Sequence, residues 1–398
     1  MKWEKVKLGN VTDSCLGKML DQNKNKGDYQ PYLANVNVRW GEFDLEDLPL
    51  MKFEESEQER YELKYGDLVI CEGGEPGRCA IWKEQIPNMK IQKALHRVRV
   101  HDCLDYRYLF YWFLLAGKTG ELNQYFTGAT IKHMPGQKLK EVVIDKPPLE
   151  IQHRIADILS AYDDLIENNQ KQIKLLEEAA QRLYKEWFVD LRFPGHENTK
   201  IVDGVPEGWS VYPFSSKVDI MSGGTPKTSI PDYYNGKIPF YTPKDSDGAF
   251  FAYKTQMNIT EGGLKNCNSR LYPPKTVIIT ARGTVGKTTI LAVPMAMNQS
   301  CYALKMKEND APYYLFFALN NEIKALQTMA NGGVFNTIIG KTFDSINIQI
   351  PKDPLIYGFE ETVRPFMEQI KNKLQANSKL VEARDRLLPK LMSGEVKV

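Results

Sequence analysis

The chain has 398 residues, of which 42% are hydrophobic and 26% are charged, and its formal net charge is +2. This length allows two or three domains with their own cores, and the near-neutral charge neither requires nor excludes a nucleic-acid partner. The N-terminal segment MKWEKVKLGN has no apolar run typical of a signal peptide, and the six cysteines form no C-x-x-C pair. We therefore expect a cytoplasmic protein with reduced thiols and no metal site.

Residues 1–147 predict a mixed α/β domain. Short β-rich runs, DLVIC (67–71), HRVRV (96–100) and EVVID (141–145), are separated by Gly, Pro and Asn turns. The most apolar run, YLFYWFLLA (108–116), covers only about half a membrane span. It predicts a buried helix and no membrane partner.

Residues 148–189 predict one long spacer helix. Apolar or small residues recur there at steps of three and four, which is the pattern of a coiled-coil seam. At 1.5 Å per residue, the periodic part would be roughly 55 Å long. The expected seam contains Ile155, Ile158, Tyr162, Leu165, Asn169, Ile173, Leu176 and Leu183. The following stretch, 190–208, is rich in Pro, Gly and charge and predicts an interdomain linker.

Residues 209–353 predict a second mixed α/β domain, with the β-rich runs TVIIT, YALKM and SINIQI. Residues 354–398 predict a second spacer helix, in which Pro365 is tolerable only in a first turn. Its expected seam contains Phe366, Ile370, Asn377, Leu380, Leu387 and Leu391.

The two halves of the chain repeat each other. GDLVICEGGEPGRCAI (66–81) aligns with KTVIITARGTVGKTTI (275–290), and Trp3 aligns with Trp209. The segments YLFYWFL and YLFFALN, and the segments that begin GATIKH and GGVFNT, align at similar offsets, between 204 and 209 residues. Four blocks at nearly constant offset indicate the duplication of a whole domain with its connector.

The duplication predicts how the long helices pair. Two amphipathic helices in one chain need each other's apolar faces, so we expect an antiparallel coiled coil that separates two domains related by a pseudo-twofold axis. Asn169 and Asn377 lie on the seam and are expected to help set its register. The alternative is two unconnected helices, each packed on its own domain.

The stretch ARGTVGKTT (281–289) ends like a nucleotide-binding P-loop. A P-loop has a glycine four residues before its Gly-Lys-Thr, and that position is Ala281. The glycine that is present, Gly283, leaves too short a spacer to cradle phosphates. Both halves instead share Gly-x-x-Gly followed by a basic residue, Arg78 or Lys287. Two interpretations remain, a hairpin turn between core strands and a surface loop that approaches a polyanion.

The chain resembles a known family along nearly its full length. The segments that carry the resemblance are WFVDLRFPGHE, GVPEGW, SGGTPKT, YYNGKIPF, ARGTVGK, RDRLLPKLMSGEVKV and GATIKHMPGQKLKEVVIDKPPLEIQ. In this order they are similar to the specificity subunits of type I restriction–modification enzymes. One departure is PKDPLIYGF, which stands before the terminal helix where the first half has KPPLEIQ.

The resemblance implies a division of labour. Each α/β domain would be a target recognition domain that reads one half of a bipartite DNA sequence. The helices would be the spacer and the docking surface for two modification (methyltransferase) subunits, which bind S-adenosylmethionine and methylate adenine. Restriction subunits would add ATP- and Mg-dependent translocation and cleavage. The chain itself would bind no cofactor and would not be an enzyme.

The residues agree with a chain that lacks a catalytic centre. No Asn/Asp-Pro-Pro-aromatic motif is present, because KPPL and YPPK lack both the polar first residue and the aromatic last one. Pro231-Asp232 begins like a nuclease motif, but no Asp/Glu-x-Lys follows within about thirty residues. A flipped adenine would therefore need its pocket in a partner subunit.

Candidate DNA contacts are polar side chains on loops that recur in both halves. Base edges are read by Arg, Lys, Asn or Gln, and phosphates are bound by Lys, Arg or backbone N–H groups. The candidates are Lys18, Arg78, Lys132, His133, Thr225, Lys227, Arg282, Lys287, Asn336 and Lys341. His133 is equally explained as a turn residue bonded to backbone.

Two other functions remain open from the sequence. The first is a duplicated DNA-binding regulator without a methyltransferase partner. The second is a nucleotide-dependent enzyme built on the GKT stretch, against which the missing glycine argues.

Overall fold

The structure is a computed structural model that describes residues 3–21, 25–329 and 338–398, without the side chains of 325–329. The chain forms two compact units. Unit 1 contains Met1–Glu167 and Ser378–Val398, and unit 2 contains Asn168–Asn377. Each long helix thus contributes residues to both units, and the division into five segments stays a prediction.

Unit 1 is built on a four-stranded antiparallel sheet of order β2-β8-β5-β6. A three-stranded sheet, β4-β3-β7, and the pair β1-β9 complete it. Its strands are β1 (Glu4–Lys7), β2 (Thr12–Leu16), β3 (Asp28–Leu33), β4 (Leu50–Phe53), β5 (Leu68–Cys71), β6 (Cys79–Ile81), β7 (Lys90–Ile91), β8 (Leu95–Val100) and β9 (Val143–Lys146). Its helices are α1 (Gln58–Tyr61), α2 (Tyr106–Thr119), α3 (Gly136–Glu141) and the first part of α4 (Leu149–Tyr184).

Unit 2 repeats this plan with one extra strand and a small hairpin, β10-β11. Its sheets have the orders β13-β20-β17-β18-β15, β16-β14-β19 and β12-β21. Its strands are β10 (Ile201–Val202), β11 (Val205–Pro206), β12 (Ser210–Pro213), β13 (Val218–Ser222), β14 (Tyr234–Tyr241), β15 (Phe251–Ala252), β16 (Asn258–Ile259), β17 (Val277–Thr280), β18 (Thr288–Leu291), β19 (Ala296–Met297), β20 (Cys301–Met306) and β21 (Asn347–Ile350). Its helices are α5 (Phe214–Lys217), α6 (Glu261–Lys265), α7 (Pro312–Met329), α8 (Gly340–Asp344) and most of α9 (Asp353–Met392).

The two sheet systems correspond strand by strand. The order β2-β8-β5-β6 matches β13-β20-β17-β18, and the parallel pair β3-β7 matches β14-β19. The internal duplication predicted from the sequence is therefore visible in the topology. The expected mixed α/β class of both halves is also confirmed.

The apolar run of unit 1 forms the centre of α2 and is buried, as predicted. Asp105 caps this helix by accepting the backbone N–H groups of Arg107 at 2.7 Å and Tyr108 at 3.1 Å. Such a cap satisfies donors that the first turn leaves without partners. Among the described residues, no helix is long and apolar enough to cross a membrane.

In unit 1 the two long helices pack on each other and on the domain core. Ile155 and Leu159, near the start of α4, lie in one buried cluster with Leu388 and Leu391, near the end of α9. Residues of α2 belong to the same cluster. The buried stripe at this end is therefore wider than a two-helix seam.

In unit 2 the opposite ends of the same helices meet. Ile173 and Tyr184, in the second half of α4, lie in one buried cluster with Phe359 and Ile370, in the first half of α9. The beginning of one helix thus packs with the end of the other in both units. The helices are antiparallel, as predicted.

The middle of the helix pair is polar. The side-chain amide of Asn169 donates to Asn377 Oδ1 at 2.8 Å, and Arg384 forms an ion pair with Asp163. All residues of α4 from 160 to 172 are described, and none of them is buried. That the asparagine pair sets the register stays a prediction.

Two details of the predicted helices are wrong. Leu165 is 52% exposed and does not lie in a buried seam, whereas every other expected seam residue is buried or half-buried. Pro365 lies twelve residues inside α9, which begins at Asp353, and not in its first turn. Pro365 and Glu361 are both exposed, so water can bond the carbonyl that the proline leaves without a donor.

A buried carboxyl group joins α9 to the domain of unit 2. Glu360 is 4% exposed, and its Oε1 accepts the backbone N–H groups of Tyr313 at 2.9 Å and Tyr314 at 2.8 Å in the first turn of α7. In the repeat alignment Ala311 occupies the position of Asp105, which caps α2 in unit 1. An alanine side chain cannot accept these hydrogen bonds, so Glu360 of α9 caps α7 instead. Burial raises the pKa of Glu360 to about 7, although the two N–H bonds oppose this shift.

We expect Glu360→Gln to change how stability depends on pH. The folded chain holds the Glu360 proton up to a pKa of about 7, against 4.5 for an ordinary glutamate, so this group destabilises the fold as pH rises between those values. The loss is on the order of 3 kcal/mol. Urea unfolding midpoints at a series of pH values should fall less for Glu360→Gln than for the wild type. The exposed neighbour variant, Glu361→Gln, should follow the wild type, and parallel curves for all three would contradict the prediction.

Candidate nucleic-acid interface

The two Gly-x-x-Gly stretches form the same hairpin. In unit 1 the N–H of Gly77 donates to the carbonyl of Cys71 at 3.0 Å, and in unit 2 the N–H of Gly286 donates to the carbonyl of Thr280 at 2.9 Å. All four motif glycines have positive φ, between 73° and 90°, where a Cβ would be strained. The hairpin interpretation is confirmed. In unit 2 the GKT stretch leads into strand β18, whereas a P-loop opens a helix.

A short 3₁₀ turn lies beside each hairpin. In unit 1, the N–H of Ala34 donates to Asn37 Oδ1 at 2.9 Å, and Arg78 Nη2 donates to the Asn35 carbonyl at 3.1 Å. The turn is therefore closed by its own side chain and bonded to the hairpin.

Unit 2 has the same arrangement with different side chains. The N–H of Thr242 donates to Asp245 Oδ2 at 2.8 Å, and the hydroxyl of Thr284 donates to the Pro243 carbonyl at 3.2 Å. The two turns therefore correspond at an offset of 208 residues, and the two hairpins at 209.

A third loop, before α3 or α8, is bonded to each hairpin. The N–H of Met134 donates to the Glu72 carbonyl at 2.7 Å, and that of Ile338 donates to the Ala281 carbonyl at 2.9 Å. We call the three loops of a unit its loop platform. The unit 1 platform contains residues 34–40, 71–79 and 127–134, and the unit 2 platform contains residues 242–247, 280–288 and Ile338.

Three of the predicted site residues lie on the unit 1 platform. Lys132 and His133 are exposed, and the backbone of His133 exchanges hydrogen bonds of 2.8 and 2.9 Å with Thr127. Arg78 is only half-buried, but its guanidinium contacts Glu75 Oε2 at 3.3 Å in addition to the Asn35 carbonyl. The arginine is thus held within the platform by its own neighbours.

Lys18 does not match the prediction of a surface cation. It is 2% exposed, and its Nζ lies 2.5 Å from Glu57 Oε2 and donates to the Lys52 carbonyl at 2.8 Å. The ammonium also lies 5.1 Å from the centre of the Phe53 ring. A buried ammonium that is already paired is not available to DNA, and removal of its charge would leave Glu57 without its cation.

Two predicted cations are free on the unit 2 platform. Arg282 and Lys287 are exposed, and neither side chain has a hydrogen bond or ion pair among the described residues. Thr225 lies beside the platform, because its hydroxyl donates to Gln299 and the next carbonyl, of Ser300, accepts the N–H of Ala281 at 2.7 Å.

The remaining candidates are less informative. Lys227 and Lys341 are exposed, and Lys341 lies in α8, shortly after the platform. Asn336 lies outside the described residues.

Sequence reasoning missed three platform residues. Lys244 is exposed on the unit 2 turn, and its counterpart in unit 1 is Val36, which is 69% exposed. Ile131, beside Lys132, is 65% exposed. An alignment of YLANVNV (32–38) with FYTPKDS (240–246), which the repeat permits, would have identified the first pair.

The thiols near the hairpins carry no charge at neutral pH. Burial raises the pKa of Cys71 to about 11, despite the nearby Arg78, and raises that of Cys301 to about 12. Within the part of the chain that the structure describes, no three His, Cys, Asp or Glu side chains are placed to hold a metal ion. The charge of the platforms therefore comes from their Lys, Arg, Asp and Glu residues.

Two stretches of the chain, residues 1–178 and 206–375, match the family described as the type I restriction modification DNA specificity domain. The chain belongs to this family. The type I restriction enzyme MjaIX specificity subunit of Methanocaldococcus jannaschii is 30% identical over 341 residues, which cover 84% of this chain and 78% of that protein. The HindI specificity subunit of Haemophilus influenzae is 23% identical, over 99% of both chains.

A solved structure shows the same fold. The type I restriction–modification S subunit from M. genitalium matches 98% of this chain and 96% of its own, with a TM-score of 0.58 and 17% identity. The twofold match to the specificity domain agrees with the two platforms, which lie one in each matched stretch. As a type I specificity subunit, the chain has the role of providing DNA-sequence specificity.

We expect Arg282→Ala and Lys287→Ala each to weaken DNA binding by the specificity subunit. If each side chain contacts a phosphate, the slope of log K against log salt concentration should fall by about one unit per lost contact. Arg78→Ala should leave the slope unchanged, because its guanidinium is already paired within the platform. Binding titrations at several salt concentrations measure all three variants, with Lys287→Arg as the charge-conserving control. Unchanged affinity and slope in both alanine variants would show that the Gly-x-x-Gly hairpin of unit 2 has only a structural role.

Proposed function

We propose that this chain is the non-catalytic DNA-recognition subunit of a type I restriction–modification complex. Each α/β domain reads one half of a bipartite DNA target, and the helices dock two modification subunits and, through them, the restriction subunits. The observation that carries the proposal is the loop platform, in which equivalent backbone hydrogen bonds close the hairpin and join it to the third loop in both matched domains. A surface that is rebuilt with the same bonds but different side chains is suited to reading two different half-sites.

The chemistry of the complex is assigned to the partner subunits. The chain lacks the Asn/Asp-Pro-Pro-aromatic motif that would grip a flipped adenine, and its GKT stretch is a hairpin. S-adenosylmethionine, ATP and Mg are therefore proposed to bind the modification and restriction subunits, in the cytoplasm.

The outer faces of the helices support a docking role. Leu165 in unit 1 is 52% exposed, and Leu175 in unit 2 is 64% exposed, both on α4. A partner that covers an exposed leucine removes its apolar surface from water, which favours binding. We assign them to the interface with the modification subunits.

We expect the purified chain alone neither to methylate nor to cut DNA. Together with its modification subunit it should co-purify as a complex that methylates adenine in a bipartite target. Leu175→Glu should reduce the amount of co-purified modification subunit, because it places a charge in an apolar contact, whereas Leu175→Met should not. Methyl transfer by the isolated chain would overturn the non-catalytic assignment. A chain that binds DNA specifically but never a modification subunit would instead support a DNA-binding regulator.

A domain exchange tests the independence of the two readers. Replacing residues 1–147 with the same region of a relative should change one half of the target and leave the other half intact. Long-read mapping of methylated adenines in cells that express the chimaera with its modification subunit measures both halves at once. Exchange of residues 209–353 is the matched control and should change the opposite half. A change of both halves in either chimaera would contradict two independent readers.

A further inference from the structure

The two loop platforms have one backbone plan and different exposed side chains. At the tip of the 3₁₀ turn, Val36 of unit 1 corresponds to Lys244 of unit 2. On the hairpin, Glu75 corresponds to Thr284, and the neutral Gly73 corresponds to Arg282. At two of these three positions unit 2 therefore carries a positive charge where unit 1 has an apolar side chain or none, and at the third unit 1 has an anion where unit 2 is neutral.

The cations of the unit 2 platform are available to a ligand. Lys244, Arg282 and Lys287 are exposed, and their charged groups have no hydrogen bond or ion pair with any residue that the structure describes. The two nearby carboxylates are engaged by backbone, since Asp245 accepts the N–H of Thr242 at 2.8 Å and Asp247 accepts the N–H of Ala249 at 3.0 Å. Three exposed cations without partners on the loops of one platform are suited to a phosphate backbone.

The unit 1 platform pairs two of its three cations, Arg39 and Arg78, with neighbours and leaves only Lys132 exposed without a bond to a described residue. Glu75 contacts Arg78 at 3.3 Å with one oxygen and accepts the indole N–H of Trp40 at 2.7 Å with the other. Arg39 donates to the Val36 carbonyl at 2.6 Å and lies 3.8 Å from Asp44. These bonds hold both arginines close to the protein surface.

Two aliphatic side chains are exposed on the unit 1 platform. Val36 is 69% and Ile131 is 65% exposed. The loop of Ile131 is closed by the backbone bonds between Thr127 and His133. Gly128 has a φ of 90°, and a Cβ at this position would collide with the Ile131 carbonyl. Exposed aliphatic side chains held this firmly gain free energy when they meet an apolar group.

We propose that the two units read their half-sites by different chemistry, an inference that rests on the proposed function. The unit 2 platform binds DNA phosphates through Lys244, Arg282 and Lys287. The unit 1 platform contacts base edges through Val36 and Ile131, and the apolar groups that double-stranded DNA offers there are the 5-methyl groups of thymine in the major groove. Salt dependence therefore arises mainly from unit 2, and methyl dependence from unit 1.

The first test measures salt dependence at the two equivalent positions. The full chain is assembled with its modification subunits. The affinity of the complex for the target sequence that it methylates is titrated at several salt concentrations. Lys244→Val should lower the slope of log K against log salt concentration by about one unit, and Val36→Lys should raise it by a similar amount. Lys244→Arg should keep the wild-type slope. An unchanged slope in Lys244→Val overturns the phosphate assignment.

The second test removes thymine methyl groups by replacing thymine with deoxyuridine in one half-site at a time. The domain exchange identifies which half-site belongs to unit 1. Deoxyuridine in that half should weaken binding about fourfold for each buried methyl group, and deoxyuridine in the other half should not. The double variant Val36→Ala, Ile131→Ala should lose this difference and keep the wild-type salt slope.

The outcomes separate the two proposals. A wild-type complex with no preference for its methylated target would refute the proposed function itself. Specific binding that is equally insensitive to deoxyuridine in both halves, or a double variant that still distinguishes thymine from deoxyuridine, overturns only the division of chemistry between the units.

Discussion

The architecture depends on the antiparallel contact between α4 and α9. Their buried residues lie towards the ends, where Ile155 and Leu159 meet Leu391, and Tyr184 meets Phe359. Helices of 36 and 40 residues owe most of their stability to such packing and not to intrinsic propensity. The same clusters include domain residues, so the helix contact and the domain core are continuous in each unit.

A polar side chain of a long helix also fixes the main helix of each domain. In unit 1 the buried Gln152 of α4 accepts the N–H of Asp105 at 2.8 Å, at the N-cap of α2. In unit 2, Glu360 of α9 accepts the N–H groups of Tyr313 and Tyr314 directly. Both units therefore bond a long helix to the N-terminus of the main domain helix. The acceptor is a neutral amide in unit 1 and, in unit 2, an acid with a pKa of about 7.

The same divergence occurs on the loop platforms. Backbone hydrogen bonds and positive-φ glycines hold the loops in both units, so the exposed positions are free to vary without loss of the scaffold. Val36 and Lys244 occupy equivalent places, yet one offers an aliphatic surface and the other a charge. A recognition subunit gains two specificities from one fold in this way, because backbone bonds maintain the geometry and side chains supply the readout.

The sequence by itself determined the duplication, the α/β class, the two long helices and the family, because periodicity, turn glycines and motif order are local properties of the chain. It also predicted Arg282 and Lys287 as DNA contacts, because they flank a repeated Gly-x-x-Gly turn, and both are exposed. Only the tertiary structure placed Lys18 beside Glu57 in the interior, exposed Leu165, and assigned the cap of α7 to Glu360, forty-seven residues away. Burial and pairing depend on which distant segments meet, and periodicity does not contain that information.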